Sequence, residues 1–220
     1  MPCLHEEIKL NFIMINLEIE KFYLNQGNLF VAGTDEVGRG PLAGPVVACA
    51  ISIDKDFKIR NEKLKEINDS KKLSEKKREE LYDVIMEEFK DIGIGSCDHE
   101  TIDRINILQA SFLAMKKAVS NLKNAPDFLL VDGKFIIPNS SIKQKAIIKG
   151  DSNVFIIAAA SIIAKVYRDR LMKKMHEKYP HYEFNKHKGY GTALHMERLK
   201  KYGPCPIHRK SFKPVATLVT

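Results

Sequence analysis

Three observations on the 220-residue sequence predict an α/β fold. Apolar runs of strand length alternate with segments whose apolar residues recur at helical spacing. Two of the runs end in a carboxylate with a glycine close behind, Thr34-Asp35-Glu36 before Gly38 and Val131-Asp132-Gly133. A further acid, Asp151, precedes the longest helical stripe. Folds of this class place functional residues at strand ends and helix N-termini, which is the address of all four acids.

Taken in order, residues 6 to 25 carry Ile8, Phe12, Ile15, Ile19 and Phe22 at gaps of four and three, the stripe of a leading helix. Leu29, Phe30 and Val31 read as the first strand. Gly33 to Gly44 holds too many glycines and prolines for helix or regular strand, which puts Asp35 and Glu36 at that strand's end. Val46 to Ile53 is a second apolar run able to pair with the first. After the charged stretch Lys55 to Lys72, Ser74 caps a helix that buries Leu81, Val84, Ile85 and Phe89. Ile92 to Cys97 reads as a strand, Ile105 to Leu122 as one helix, and Pro126 to Gly133 and Lys145 to Ile148 as two further strands. Asn153 to Lys178 is the central helix, whose Ala158-Ala-Ala-Ser161 permits close packing. The expected organisation is a leading extension and helix over 1–28, a catalytic α/β body over 29–180, and a C-terminal helical appendage over 181–220 that belongs to the same domain.

Composition narrows the function. With 44% hydrophobic and 29% charged residues the chain is of globular type, and a net charge of +8 favours a polyanionic partner. Cysteines 3, 49, 97 and 205 form no C-x-x-C pair, which argues against a zinc site or a disulfide framework and for a reducing, cytoplasmic setting. The longest largely apolar run, Val154 to Ala164, falls short of the roughly 20 residues that span a bilayer, and acids ahead of the first apolar residues make a poor secretory signal.

The stretch from Asp35 to Pro45 carries the strongest chemical signal. Uncovered amides at glycines and the Arg39 fork suit phosphate oxygens. It is not a Walker A loop, because Arg39-Gly40 stands where Lys-Ser/Thr is needed, nor a dinucleotide fingerprint, because Gly44 comes one residue late. Taken singly, Asp132-Gly133 is also ordinary turn chemistry, Asp151 an ordinary N-cap, Lys71-Lys72 a solvated charge run, and Asp169 a helix-face partner of Lys165. Brought together, Asp35, Glu36, Asp132 and Asp151 repel one another, and the usual resolution is a divalent cation. Carboxylates without Cys or His favour Mg²⁺ or Mn²⁺, and a pair of such ions about 4 Å apart serves phosphodiester hydrolysis. Basic residues interleaved with Tyr190 and glycines near the C-terminus suit nucleic-acid contact.

Seven motifs in order then resemble the ribonuclease HII family: Asp-Glu-Val-Gly-Arg-Gly-Pro-Leu-Ala-Gly-Pro (35–45), Asp-Ser-Lys-Lys-Leu (69–73), Val-Asp-Gly (131–133), Lys-Gly-Asp (149–151), Ala-Ala-Ala-Ser-Ile-Ile-Ala-Lys-Val-Tyr-Arg-Asp (158–169), Gly-Tyr-Gly-Thr (189–192) and His-Arg-Lys-Ser-Phe (208–212). The resemblance spans about residues 29 to 214 and implies a ribonuclease H-like mixed sheet flanked by helices. It implies endonucleolytic cutting of RNA in RNA-DNA hybrids and at single ribonucleotides in duplex DNA, leaving 5′-phosphate and 3′-hydroxyl ends. Carried over by position, Asp35, Glu36, Asp132 and Asp151 are the metal quartet for Mg²⁺ or Mn²⁺. Gly38, Arg39 and Gly40 hold the backbone around the ribonucleotide, Tyr190 faces its 2′-hydroxyl, and Lys72, Ser161, Lys165 and Arg209 contact phosphate. A monomer is expected, with a replication clamp as a partner and no membrane. Unlike the type HIII enzymes, this chain has a short N-terminus and an aspartate as its last acid. Two rivals are a nuclease of the same fold acting on DNA junctions and a non-catalytic binder of RNA-DNA duplexes.

Overall fold

The computed structural model describes residues 16–67, 70 and 73–218. After the helix α1 (Glu18–Leu24) come the strands β1 (Phe30–Val37) and β2 (Val46–Asp54), a 3-10 turn over Glu62–Glu66, and α2 (Glu75–Glu88). β3 (Ile92–Cys97), α3 (His99–Ile105), α4 (Ile107–Ser120), β4 (Phe128–Asp132) and β5 (Lys143–Ile147) follow. The C-terminal part holds α5 (Gly150–Asn153), α6 (Phe155–Lys178), α7 (Phe184–His187), α8 (Ala193–Tyr202) and α9 (Lys213–Ala216). The strands form one sheet in the order β3-β2-β1-β4-β5. β1, β2 and β3 pair antiparallel, whereas β1, β4 and β5 run parallel, so the sheet is mixed as the resemblance implied.

Both faces of the sheet are covered, which explains why β2 reads as an unbroken apolar run instead of alternating. Successive side chains point to opposite faces. Val31, Val47, Cys49, Ile51 and Leu130 pack on one side against Ile156, Ile157 and Ile163 of α6. Ala32, Ala48, Ala50, Leu129 and Val131 pack on the other against Ala110, Ala114 and Ala118 of α4. The second face is built from small residues, so α4 lies close on the sheet. At Gly93 and Gly95 of β3 an added Cβ would stand 2.0 Å and 2.2 Å from the Ala118 and Ala114 carbonyl oxygens.

Three boundaries differ from expectation. β1 does not stop before Gly33 but runs to Val37, paired along its length with β2. Gly33 is there because α6 approaches closely, an added Cβ lying 2.6 Å from Ile156 Cγ1, and not because the chain turns. The expected single helix over 105–122 is two, broken at Asn106, whose φ of 64° ends α3 and whose Oδ1 accepts the amides of Leu108 and Gln109 to start α4. Asp151 lies in the separate short helix α5, parted from α6 by the extended Val154. The leading helix is seen as α1, while Ile8, Phe12 and Ile15 lie outside the described residues. From α1 the buried Glu20 accepts the Ile156 amide at 2.9 Å, which supplies the cap that Val154 cannot give α6. Among the described residues no helix is long and apolar enough to cross a membrane.

Candidate active site

The parallel strands bring the acids together. Thr34 of β1 is level with Val131 of β4, the last pair of that ladder, so the next residues, Asp35 and Asp132, stand side by side where the two strands part. β5 lies beyond β4 and leads into α5, and Asp132 Oδ1 accepts the Gly150 amide at 2.7 Å and the Asp151 amide at 3.4 Å. The carboxylate at the end of β4 therefore sets the start of α5 and the place of Asp151. The ends of three parallel strands thus carry all four acids to the sheet edge where ligands of open α/β folds bind.

Their electrostatics reflect this crowding. Burial, and after it the charges of Glu36 and Asp132, push the Asp35 carboxyl well above the usual carboxylate range; Asp151 adds to the push and a hydrogen bond from Ser161 opposes it. Burial also raises Glu36, against the pull of Arg39, whose Nη1 stands 3.1 Å from Glu36 Oε1. Among the described residues no three His, Cys, Asp or Glu side chains are already arranged to grip a metal ion. The donor chemistry nevertheless suits a hard divalent cation, because it is all carboxylate and carries more negative charge than the buried site holds comfortably.

Beside the acids lies the glycine-rich loop after β1, held from beneath by two arginines that are fully buried. Arg168 of α6 donates to the carbonyls of Ala43, Pro45 and Lys188 at 2.9 to 3.1 Å. Arg209 donates to Gly38, Arg39 and Gly44 at 2.6 to 3.0 Å. Burial lowers them to about 10 and about 9, so both remain cationic at neutral pH. The loop fits tightly over them: Gly38 has a φ of 97°, and a Cβ there would meet Arg168 Nε at 2.3 Å. Tyr190, 39% exposed, stands at the loop's rim. Its ring centre is 5.8 Å from Lys165 Nζ and 5.9 Å from the Arg168 guanidinium, and a Cβ on Gly40 would lie 3.9 Å from the ring. Gly38, Arg39, Gly40 and Tyr190 are therefore one surface.

Two of the phosphate contacts expected from the sequence are corrected. Arg209 is buried with its guanidinium directed at backbone carbonyls, so it shapes the loop and does not face solvent. Ser161 is buried, bonded to Asp35 and 2.9 Å from Ser70 Oγ, a positioning role for the first acid. Lys165 lies at the site, 2.8 Å from Asp169, the helix-face pair expected from their spacing. Lys72 lies outside the described residues. Arg168 enters the sequence reading only as a member of the 158–169 motif, in a basic stretch with Lys165 and Arg170 that gives no local sign of its burial. His187, His195 and His208 lie 8 and 13 residues apart, a spacing with no local pattern that marks them as a cluster.

A mixed five-stranded sheet with carboxylates gathered at its parallel strand ends defines a ribonuclease H-like hydrolase, and solved structures agree. Ribonuclease H2 from Pyrococcus horikoshii superposes with a TM-score of 0.69 at 30% identity, over 86% of this chain and 96% of that one. The ribonuclease HII in a complex with PCNA from Archaeoglobus fulgidus superposes with a TM-score of 0.64 at 26% identity, over 84% and 95%. A family model described as Ribonuclease HII matches residues 32–215, and a ribonuclease HII of Clostridioides difficile is 53% identical over 94% of this chain and 78% of its own length. The chain belongs to the ribonuclease HII family. It is thus a ribonuclease H, a divalent-metal-dependent endonuclease for the RNA strand of RNA-DNA hybrids.

Proposed function

We propose that this enzyme also cuts duplex DNA on the 5′ side of a single embedded ribonucleotide, leaving 5′-phosphate and 3′-hydroxyl ends. The observation that carries the reading is the adjacency of the acid quartet to a surface made by Gly38, Arg39, Gly40 and Tyr190. In this reading Asp35, Glu36, Asp132 and Asp151 hold two Mg²⁺ or Mn²⁺ ions. Such ions, when bound, supply an activated water and stabilise the departing oxygen. Arg39 and the amides of Gly38 and Gly40 grip the backbone at the ribonucleotide, and Tyr190 stacks on its sugar and faces the 2′-hydroxyl. Lys165, at the rim beside Tyr190, contributes positive charge toward phosphate. A sliding clamp is a fitting partner, since the similar Archaeoglobus fulgidus protein was solved in complex with PCNA. The chain acts as a monomer, with residues 181–220 as its substrate-binding appendage.

The test is cleavage of end-labelled duplexes carrying zero, one or four consecutive ribonucleotides, with the cut positions mapped in Mg²⁺ and in Mn²⁺. A single cut 5′ of the lone ribonucleotide, with the all-DNA duplex intact, is expected. Cutting of the hybrid alone would withdraw the single-ribonucleotide activity.

A further inference from the structure

Beneath the Tyr190 turn lies a chain of buried imidazoles whose hydrogen bonds are all satisfied by one arrangement of protons on neutral rings. His195 Nδ1 is 3.0 Å from the Tyr190 carbonyl oxygen, which only accepts, so Nδ1 carries hydrogen. In a neutral ring Nε2 of His195 is then an acceptor, and its partner, His208 Nε2 at 3.1 Å, must donate. That leaves His208 Nδ1 as an acceptor, and the Cys205 amide donates to it at 2.9 Å. The Cys205 carbonyl, 3.2 Å from the same nitrogen, also accepts the His208 amide, but the amide hydrogen of Cys205 aimed at Nδ1 leaves no room for a ring proton there. His187 stacks on His195 with ring centres 4.3 Å apart. It accepts the Gly189 amide at Nδ1 and sits 2.7 Å from the Tyr182 carbonyl at Nε2. Every ring nitrogen of the three has a backbone or imidazole partner, so the cluster is not a metal site in waiting. Burial lowers all three histidines, in keeping with neutral rings.

The two ends of this chain reach the two halves of the substrate surface. At one end His195 fixes the carbonyl of Tyr190, and at the other Ala43 bridges His208 while Arg209, its neighbour, binds the carbonyls of Gly38 and Arg39. The geometry points to His195 and His208 as positioning residues that set Tyr190 against the Gly38–Gly40 loop, so that selection of the 2′-hydroxyl depends on the donor that His195 Nδ1 presents to the Tyr190 carbonyl, with His208 and the Cys205 amide holding His195 in that tautomer. This rests on the reading of Tyr190 given above. A displacement of about 1 Å at a positioning group can cost on the order of 100-fold in rate.

Two substitutions at His195 separate this role from a merely structural one. The amide nitrogen of His195→Asn overlays Nδ1 and keeps the donor to Tyr190, while losing the acceptor for His208. His195→Gln does the reverse, keeping an oxygen near Nε2 and losing the donor. On a duplex with one ribonucleotide, His195→Gln is expected to lower kcat at least tenfold with little change in KM, and His195→Asn to stay within about threefold of the parent. Equal activity of both, or a larger loss in His195→Asn, overturns the proposal. If Tyr190→Ala is impaired, the double variant with His195→Gln should be no worse than the poorer single one, and multiplied losses overturn it. Tyr190→Ala at the parent rate overturns the Tyr190 reading and this proposal together, whereas a normal His195→Gln beside an impaired Tyr190→Ala overturns this proposal alone. Should the variants not fold, imidazole ¹⁵N spectra of the unmodified protein decide: hydrogen on Nδ1 of His195 and Nε2 of His208 is expected, and any other pair of tautomers contradicts the chain.

Discussion

Asp35 bears a concentrated electrostatic load, since burial and the charges of Glu36, Asp132 and Asp151 all act on it in one direction. Its raised value in the folded state means that its contribution to stability is full below the ordinary carboxylate value and is lost as pH rises through the folded one. Asp35→Asn and Asp132→Asn are therefore expected to abolish cleavage, by at least about 100-fold, while the melting temperature without metal stays level or rises. Cleavage at the parent rate by either variant would remove it from the metal quartet. Asp132→Asn keeps an oxygen for the Gly150 and Asp151 amides, so α5 should hold its place. At Tyr190 the expected order of activity is parent, then Phe, then Ala, because Phe keeps a stacking surface worth on the order of 1 to 3 kcal/mol. Steady-state cleavage of a duplex with one ribonucleotide checks it, and an Ala variant equal to the parent would contradict it.

The glycine-rich loop owes its shape to side chains far away in sequence. Arg209→Met would strand the buried carbonyls of Gly38 and Gly44 and the part-buried one of Arg39, and is expected to cost about 3 kcal/mol or more. Arg209→Lys cannot span the three carbonyls with one ammonium and should recover only part of that. Urea unfolding measures both, and a loss under about 1 kcal/mol in Arg209→Met would contradict the role. Here the limits of reading a sequence become physical. The alternation of strand and helix and the strand-end acids were legible because periodicity and turn chemistry are local. Whether Gly33 marks a turn or a close helix, whether Asn106 sits within a helix or caps one, and whether Arg209 faces phosphate or carbonyls are decided by partners far along the chain. The resemblance named the four acids and Tyr190 as site residues and gave Arg209 and Ser161 phosphate contacts, which their burial does not fit, because a motif records which residues recur and not which way they point.

Across the whole molecule the C-terminal segment is tied to the α/β body through the imidazole chain and the two buried arginines, which links stability to pH. Burial pushes His195 and His208 down to about 4, below the ordinary value of 6.5. The unfolded chain therefore binds more protons between those values, and stability is full above about pH 6.5 and lost as pH falls toward about 4. Each ring is expected to contribute a loss of about 2 kcal/mol at pH 5. Urea unfolding of the parent and of His195→Asn over pH 4.5 to 7 isolates the effect, because groups common to both, such as Glu20, raised to about 7 by burial, largely cancel. Parallel curves for the two proteins would contradict it.

The central claim is that the ends of β1, β4 and β5 gather four carboxylates into a site for divalent cations. Titration of Mn²⁺ followed by electron paramagnetic resonance of the free ion tests it without reference to any substrate. Saturable binding by the parent protein, weakened at least tenfold in Asp132→Asn and in Asp35→Asn, is the expected result. Equal binding by the parent and both variants would contradict it.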